Sequence, residues 1–346
     1  MDRQRLATIF ARFAGLRILV VGDFFLDKYM IIDHTLAERS LETGREAHQV
    51  VQIRCSPGAA GTVTSNLRAM DVSVVALSVI GDDGDGYELS RALRASGVDI
   101  SDLLVRPERF TPTYTKPMLR EADGSEHELE RLDIKNRSAL DAGLEDEIIT
   151  RLRQVVPSVQ AVIIADQVQE RNCGVITDRV REELSVLARR YPQIIFAADS
   201  RERIGLFRDI IIKPNEREAT RAFYPQRTES LSGDELLECG RILRQRSGKA
   251  VFLTMGEKGI LVFHEAGYTP VPAIPVSGPI DIVGAGDATM AGIVAALAAD
   301  ANLVEAAHIG TLAAAVTIKK IGTTGTASRQ EMEQAALRNW GVPLNS

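Results

Sequence analysis

Apolar positions along the chain fall into short unbroken runs. Residues 17–22 (RILVVG) form one such run, and residues 72–81, 161–166, 194–199, 210–213 and 250–254 repeat the pattern. Runs of this length suit strands buried on both faces, as in a parallel sheet. Between them lie charged segments with apolar residues at helical spacing: 87–95, 144–155, 178–190 and 234–245. Strand and helix alternating in this way predict an α/β fold, a doubly wound, mostly parallel sheet flanked by helices on both faces. Several runs end in Gly, Asp or Asn, at the carboxyl ends where such sheets bind ligands.

Two stretches break this rhythm. Residues 28–34 and 48–53 read as short strands, and 111–121 and 126–133 as two more, joined by Ala-Asp-Gly-Ser at 122–125, a good hairpin turn. Together they predict a small separate β-sheet, read as a lid because both pairs emerge near polar candidates; a pair of plain surface excursions is the alternative. The expected division is a large α/β domain made of residues 1–27, 54–109 and 134–346, and a β lid made of 28–53 and 110–133. A peripheral last helix with a loose tail is expected at the end.

Composition narrows the class. The 346 residues are 45% hydrophobic and 25% charged, an ordinary globular balance able to bury a large core. The net charge of −6 speaks against general nucleic-acid binding. Cys55, Cys173 and Cys239 lie far apart, without a CxxC pair, and read as buried thiols in a reducing compartment. The opening MDRQRLATIFARFAGL is amphipathic, without a secretory core, and no apolar run approaches the ~20 residues of a membrane span. The expected location is the cytoplasm, with no membrane partner.

The strongest chemical signal is Asp281-Ile282-Val283-Gly284-Ala285-Gly286-Asp287 ahead of the Ala-rich ATMAGIVAALAAD. Small residues before a helix let backbone N–H groups approach an anion, and the helix N-terminus adds partial positive charge. Asp287 then stands where it could accept a hydroxyl proton during attack on a phosphorus; taken alone it could equally cap the helix.

This string resembles the DxxGAGD signature of the ribokinase-like (PfkB-type) carbohydrate kinases at every fixed position. The resemblance implies Asp287 as catalytic base and the backbone of Gly284, Ala285 and Gly286 as the anion hole. Other segments match in order, from about Arg17 to Thr326. Val21-Gly22-Asp23-Phe24-Phe25-Leu26-Asp27 looks like the first-strand motif, which implies Asp23 and Asp27 at sugar hydroxyls. Pro57 to Asn66 resembles the first signature, implying sugar contact at Gly58, Ala59, Gly61 and Asn66; the family usually has two adjacent glycines and an earlier Asn. Lys213-Pro214-Asn215-Glu216-Arg217-Glu218 matches NxxE, implying that Asn215 and Glu218 organise Mg²⁺, largely through water; a helix-capping loop is the alternative. Leu253 to Gly259 resembles the nucleotide loop, implying Thr254, Gly256 and Gly259 near ATP phosphates, although TxGxxG alone also suits any strand turn.

Within the family the chain looks most like heptose 7-phosphate kinases, through Glu130-Arg131-Leu132-Asp133, Thr115-Lys116, Ala165-Asp166, Asp199-Ser200-Arg201 and Lys320-Ile321-Gly322-Thr323. That likeness points to a sugar or sugar-phosphate acceptor such as D-glycero-D-manno-heptose 7-phosphate. Lys116, Arg120, Arg131 and Arg201 are candidate cations, with Asp166 beside the acceptor. Two segments depart: Ser-Leu-Glu-Thr-Gly-Arg-Glu at 40–46 stands for Ser-Pro-Glu-Ala-Pro, and Asp-Gln-Val-Gln-Glu at 166–170 stands for DYxKG. Both fall where sugar choice is expected, so another sugar or a nucleoside stays open. Exposed lid edges predict a homodimer paired through the lids.

Other classes fit poorly. The first strand leads into GDFFLD, not the GxGxxG of a dinucleotide enzyme. Gly248-Lys249-Ala250 lacks the Ser/Thr of a P-loop. Five scattered histidines give no zinc spacing, and no GxSxG elbow occurs. A catalytically silent sugar- or nucleotide-binding regulator of the same fold remains the alternative.

Overall fold

The computed structural model describes residues 1–121, 123–229, 231–322 and 324–339. The chain runs α1 (Arg3–Arg12), β1 (Arg17–Gly22), β2 (Phe24–Arg39), β3 (Glu46–Ala59), α2 (Ala60–Ala69), β4 (Ser73–Gly81), α3 (Gly84–Ala95) and β5 (Asp99–Arg106). It continues through β6 (Thr113–Arg120), β7 (Glu126–Glu128), β8 (Leu132–Ile134), α4 (Ala142–Val155), β9 (Ala161–Asp166), α5 (Asp178–Arg190) and β10 (Ile195–Ser200). Next come β11 (Ile211–Ile212), α6 (Glu216–Phe223), α7 (Gly233–Ser247), β12 (Val251–Thr254), β13 (Ile260–His264) and β14 (Gly267–Val271). Three helices close the chain: α8 (Ala285–Ala298), α9 (Leu303–Thr317) and α10 (Arg329–Asn339). The expected loose tail at 340–346, the turn residue Ala122 and Thr323 lie outside the described residues.

Nine strands form one large sheet in the order β14-β13-β12-β11-β10-β9-β1-β4-β5. Its members are parallel except β13, which runs antiparallel to both neighbours. The unbroken apolar runs have a simple cause. In β1, Ile18 and Val20 enter one core while Leu19 and Val21 enter the other, so both faces of the strand need apolar side chains. Helices α2, α8 and α9 cover the first face, and α4, α5 and α7 the second. α8 is buried almost all round, and an added Cβ on its Gly292 would come 3.1 Å from the Ile309 carbonyl oxygen. Glycine there lets α8 and α9 pack closely.

The second sheet has five strands, ordered β3-β2-β6-β7 with β8 also on β6. Four strands were expected. The 126–133 segment breaks into two short ones, each pairing a different part of β6. The β2–β3 pairing is also longer than expected, reaching Phe24↔Ala59. β2 lies parallel to β6, so this sheet is not a simple pair of hairpins.

Ala59 ends β3 with φ 53° and ψ −116°. The other non-glycine residues at positive φ are Asp or Asn, which tolerate the left-handed region. Alanine has no such compensation, whereas glycine adopts positive φ without penalty. Ala59→Gly should therefore raise the stability by about 1 kcal/mol, read as a higher denaturation midpoint at constant m-value. Among the described residues no helix is long and apolar enough to cross a membrane.

Candidate active site

The carboxyl ends of the large sheet carry the polar cluster. Gly284 caps the N-terminus of α8, and its φ of 81° turns the chain into the helix. The first intrahelical bond runs from the Ala288 amide to the Gly284 carbonyl. Ala285 N–H donates to the Ile282 carbonyl at 3.2 Å, closing the preceding turn. Of the three residues expected to form the anion hole, Ala285 thus has its amide occupied. Helix geometry leaves the amides of Gly286 and Asp287 without an intrahelical acceptor, and these two remain available to an anion.

Asp287 stands in that first turn, half-buried. Burial pushes its pKa up to about 7, Asp199 adds to the rise, and Lys213 and Arg201 oppose it. Lys213 and Asp199 were not among the expected site residues. Asp199 ends the apolar run of β10 and Lys213 follows β11, the neighbouring strand. Lys213 Nζ sits 2.9 Å from Asp199 Oδ2, and both residues are buried. Burial works against the ammonium, but Asp199, Glu218 and Asp287 outweigh it and raise its pKa. A Cβ placed on Gly286 would come 3.7 Å from Lys213 Nζ, so this buried cation underlies the helix start.

Asn215 and Glu218 form a capping box at the start of α6. Asn215 Oδ1 accepts from the Glu218 amide at 2.9 Å, and Glu218 Oε2 accepts from the Asn215 amide at 2.8 Å. Glu218 Oε1 is outside that box. Burial and then Asp199 push the Glu218 pKa up, against Lys213. Asn215 also bridges to Thr254. Among the described residues no group of three or more His, Cys, Asp or Glu side chains could hold a metal ion. Such a sparse set of oxygen donors fits a hydrated Mg²⁺, which keeps most of its waters, and does not fit an all-protein cage. Thr254 Oγ1 donates to the Pro214 carbonyl at 3.4 Å, and Gly256 takes φ 57°. At Gly259, a Cβ would lie 2.1 Å from the Val271 carbonyl oxygen, so close approach of β14 alone accounts for that glycine.

The second sheet supplies the opposite wall. Asp27 and Lys116 lie 3.3 Å apart, and Lys116 Nζ also donates to the Tyr29 hydroxyl at 3.0 Å. The Asp27 charge reaches Asp287. Gly58 leaves room for Asp27: a Cβ there would come 2.6 Å from Asp27 Oδ2. At Gly61 a Cβ would come 2.4 Å from the Pro57 Cβ, so this glycine permits α2 to start against β3. Arg131 pairs through two nitrogens with Asp133 and stacks over Tyr114, its guanidinium carbon 4.2 Å from the ring centre. A shallow cleft opens beside Tyr114, walled by Phe25, Arg109, Gln167, Glu170 and Asp23 among others. Asp287 is not among its walls. Arg201 links the two, because its charge acts on both Tyr114 and Asp287.

Three expected acceptor residues are engaged inside the protein. Asp23 accepts backbone N–H bonds from Gln167, Val168 and Val175 at 2.8–3.0 Å. Burial, then Asp166, still raise its pKa to about 6. Asp166 accepts from Ser200 Oγ at 2.6 Å and pairs with Arg203 at 2.7 Å. Asn66 is fully buried; it donates to the Thr62 carbonyl and accepts from the Ala327 amide. These groups shape the loops around the cleft, and their hydrogen-bonding capacity is largely taken.

The fold and the family profile define a phosphotransferase acting on an alcohol group. The chain belongs to the pfkB family of carbohydrate kinases, whose profile matches residues 26–330. It is a sugar kinase of this ribokinase-like family. It is similar to the "Bifunctional protein HldE" of Geotalea uraniireducens, 28% identical over 329 residues, covering 94% of this chain and 64% of that protein. The protein of the same name from Hyphomonas neptunium is 28% identical over 339 residues, covering 96% and 66%. The chain thus spans less than two thirds of the length of these curated relatives. Two solved structures share the fold. Arabidopsis thaliana ribokinase, complexed with ribose and ATP, superposes with a TM-score of 0.68 at 16% identity, covering 92% of this chain and 98% of that one. Escherichia coli phosphofructokinase-2, in complex with potassium, gives 0.69 at 17% identity, covering 94% and 99%.

Proposed function

We propose that this protein transfers the γ-phosphate of ATP to a hydroxyl of a sugar phosphate, with Asp287 as the base. One observation carries the reading: a half-buried carboxylate with a pKa near 7 stands at a helix start that offers two free amides over a buried ammonium. A base tuned near neutrality both holds and releases a proton at working pH. The Gly286 and Asp287 amides would receive the transferring phosphoryl group, with Lys213 beneath them countering its charge. Thr254 and Gly256 would flank the nucleotide phosphates. Asn215 and Glu218 would hold hydrated Mg²⁺, which when bound neutralises phosphate charge.

The acceptor would lie between Asp27 and Asp287 and extend into the cleft beside Phe25 and Tyr114. Lys116, Arg131 and Arg201 supply cations on that side, which favours an acidic acceptor. The similarity to the HldE proteins supports a heptose 7-phosphate. ATP consumption against sugars and sugar phosphates, including D-glycero-D-manno-heptose 7-phosphate, tests this. Turnover confined to neutral sugars would remove the anionic-acceptor part, and nucleotide binding without any turnover would favour a silent regulator. The second sheet would act as a lid that excludes water during transfer.

The lid also supports a homodimer. β3 is an edge strand, and Val51, Ile53, Leu132 and Ile134 are exposed on this sheet. A second copy would cover them. Sedimentation at micromolar concentration should return twice the chain mass, and a monomer would contradict the pairing.

A further inference from the structure

We infer that Lys320 is a positioning residue for the anion hole, acting as an internal cation that fixes the loop behind Gly284. The inference rests on the reading of Gly286 and Asp287 as phosphate-binding amides. Lys320 follows α9 and folds back over Gly325, where a Cβ would meet Lys320 Cβ at 2.9 Å and Cδ at 3.2 Å. Its ammonium donates to the Thr326 carbonyl at 2.5 Å and pairs with Glu331 Oε1 at 2.7 Å. Glu331 Oε2 in turn accepts from the Ser328 amide and hydroxyl at 2.9 and 2.8 Å. One charge therefore closes the loop onto the start of α10.

That loop touches the active-site helix directly. A Cβ on Gly284 would come 2.8 Å from Thr324 Cγ2 and 3.3 Å from Thr62 Cγ2, so the Thr324 methyl fills the space the glycine leaves. Thr324 Oγ1 is buried and finds no hydrogen-bond partner, so packing and not polarity holds this residue there. The chain just before the hole is tied to the same region, because the Asp281 amide donates to the Ile318 carbonyl at 2.8 Å. Without the ammonium, the Thr326 carbonyl and the Glu331 carboxylate lose their shared donor. The Thr324 contact that backs Gly284 then loses its support, and the two free amides lose their fixed direction.

The test uses Lys320→Ala and Lys320→Met in the full chain. Loss of a charge-assisted hydrogen bond predicts weaker MgATP binding and lower kcat, each on the order of tenfold, with the acceptor KM unchanged. The Lys320 side chain is 34% exposed, so methylammonium should reach the gap in Lys320→Ala and restore part of both losses. A purely structural role would instead lower the unfolding midpoint without amine rescue. Unchanged MgATP binding and kcat, or losses that amines do not restore, overturn the inference. MgATP binding needs no turnover, so it decides the role of Lys320 even if no acceptor is phosphorylated. Absence of turnover in the wild-type chain counts against the kinase reading alone.

Discussion

Asp287→Asn should retain nucleotide binding and lower turnover by roughly a hundred- to ten-thousand-fold, the range that general base catalysis supplies. The amide matches the carboxylate in shape but cannot take a proton. Steady-state kinetics beside calorimetric titration with MgATP would read both effects. Near-normal turnover would remove Asp287 from the chemistry. The pH profile offers a second measurement on the same group. With a pKa of about 7, Asp287 is increasingly protonated below neutrality, so kcat/KM should fall as the pH drops through 7. Stability should move the other way. The folded carboxyl binds its proton more tightly than the unfolded one, whose pKa is near 3.8. Its contribution to stability therefore grows as the pH falls from about 7 toward that value. At pH 8, where the buried charge is fully present, Asp287→Asn should unfold at a higher temperature than the wild type.

Lys213→Met should be the most damaging substitution outside the base. It removes the cation from a buried pair and leaves Asp199 charged among apolar strands. Breaking a buried pair from one side costs about 3–5 kcal/mol. Denaturant unfolding would show this as a lowered midpoint. A double variant, Lys213→Met with Asp199→Leu, should recover much of the loss in stability but none of the activity, because no charge would remain beneath Gly286. Equal stability of the two variants would mean that Asp199 finds another partner.

The sequence made the central strands legible because burial on both faces demands continuous apolar runs. The two edge strands β5 and β14 escaped notice, as did β13, although its residues 260–263 form a buried apolar run. β14 is largely exposed, and only one face of β5 is well covered, so neither carries the same run. The turn at Gly284 into α8 was legible because few backbones other than a tight turn into a helix need the string Gly284-Ala285-Gly286. Asp23, Asp166 and Asn66 were read as ligand contacts, yet their polar atoms bind loops and helices. An acid at the end of a buried strand looks the same in sequence whether it meets a sugar hydroxyl or three backbone amides. Lys213 and Asp199 were missed for a related reason, although a signal was present. Two adjacent buried strands each lead into a charge, of opposite sign, and such charges need each other.

The place of β1 has a consequence for how the chain is made. It leaves the ribosome ahead of every other strand of its sheet, yet it lies between β4, paired from Ser73, and β9, paired from Ala161. One flank of the nascent strand stays open until the middle of the chain has been synthesised. During that interval an apolar ribbon with unmet amides and carbonyls is available to any passing chain. Fragments ending before residue 161 should accordingly be captured by chaperones or precipitate, while fragments that include β9 close the gap.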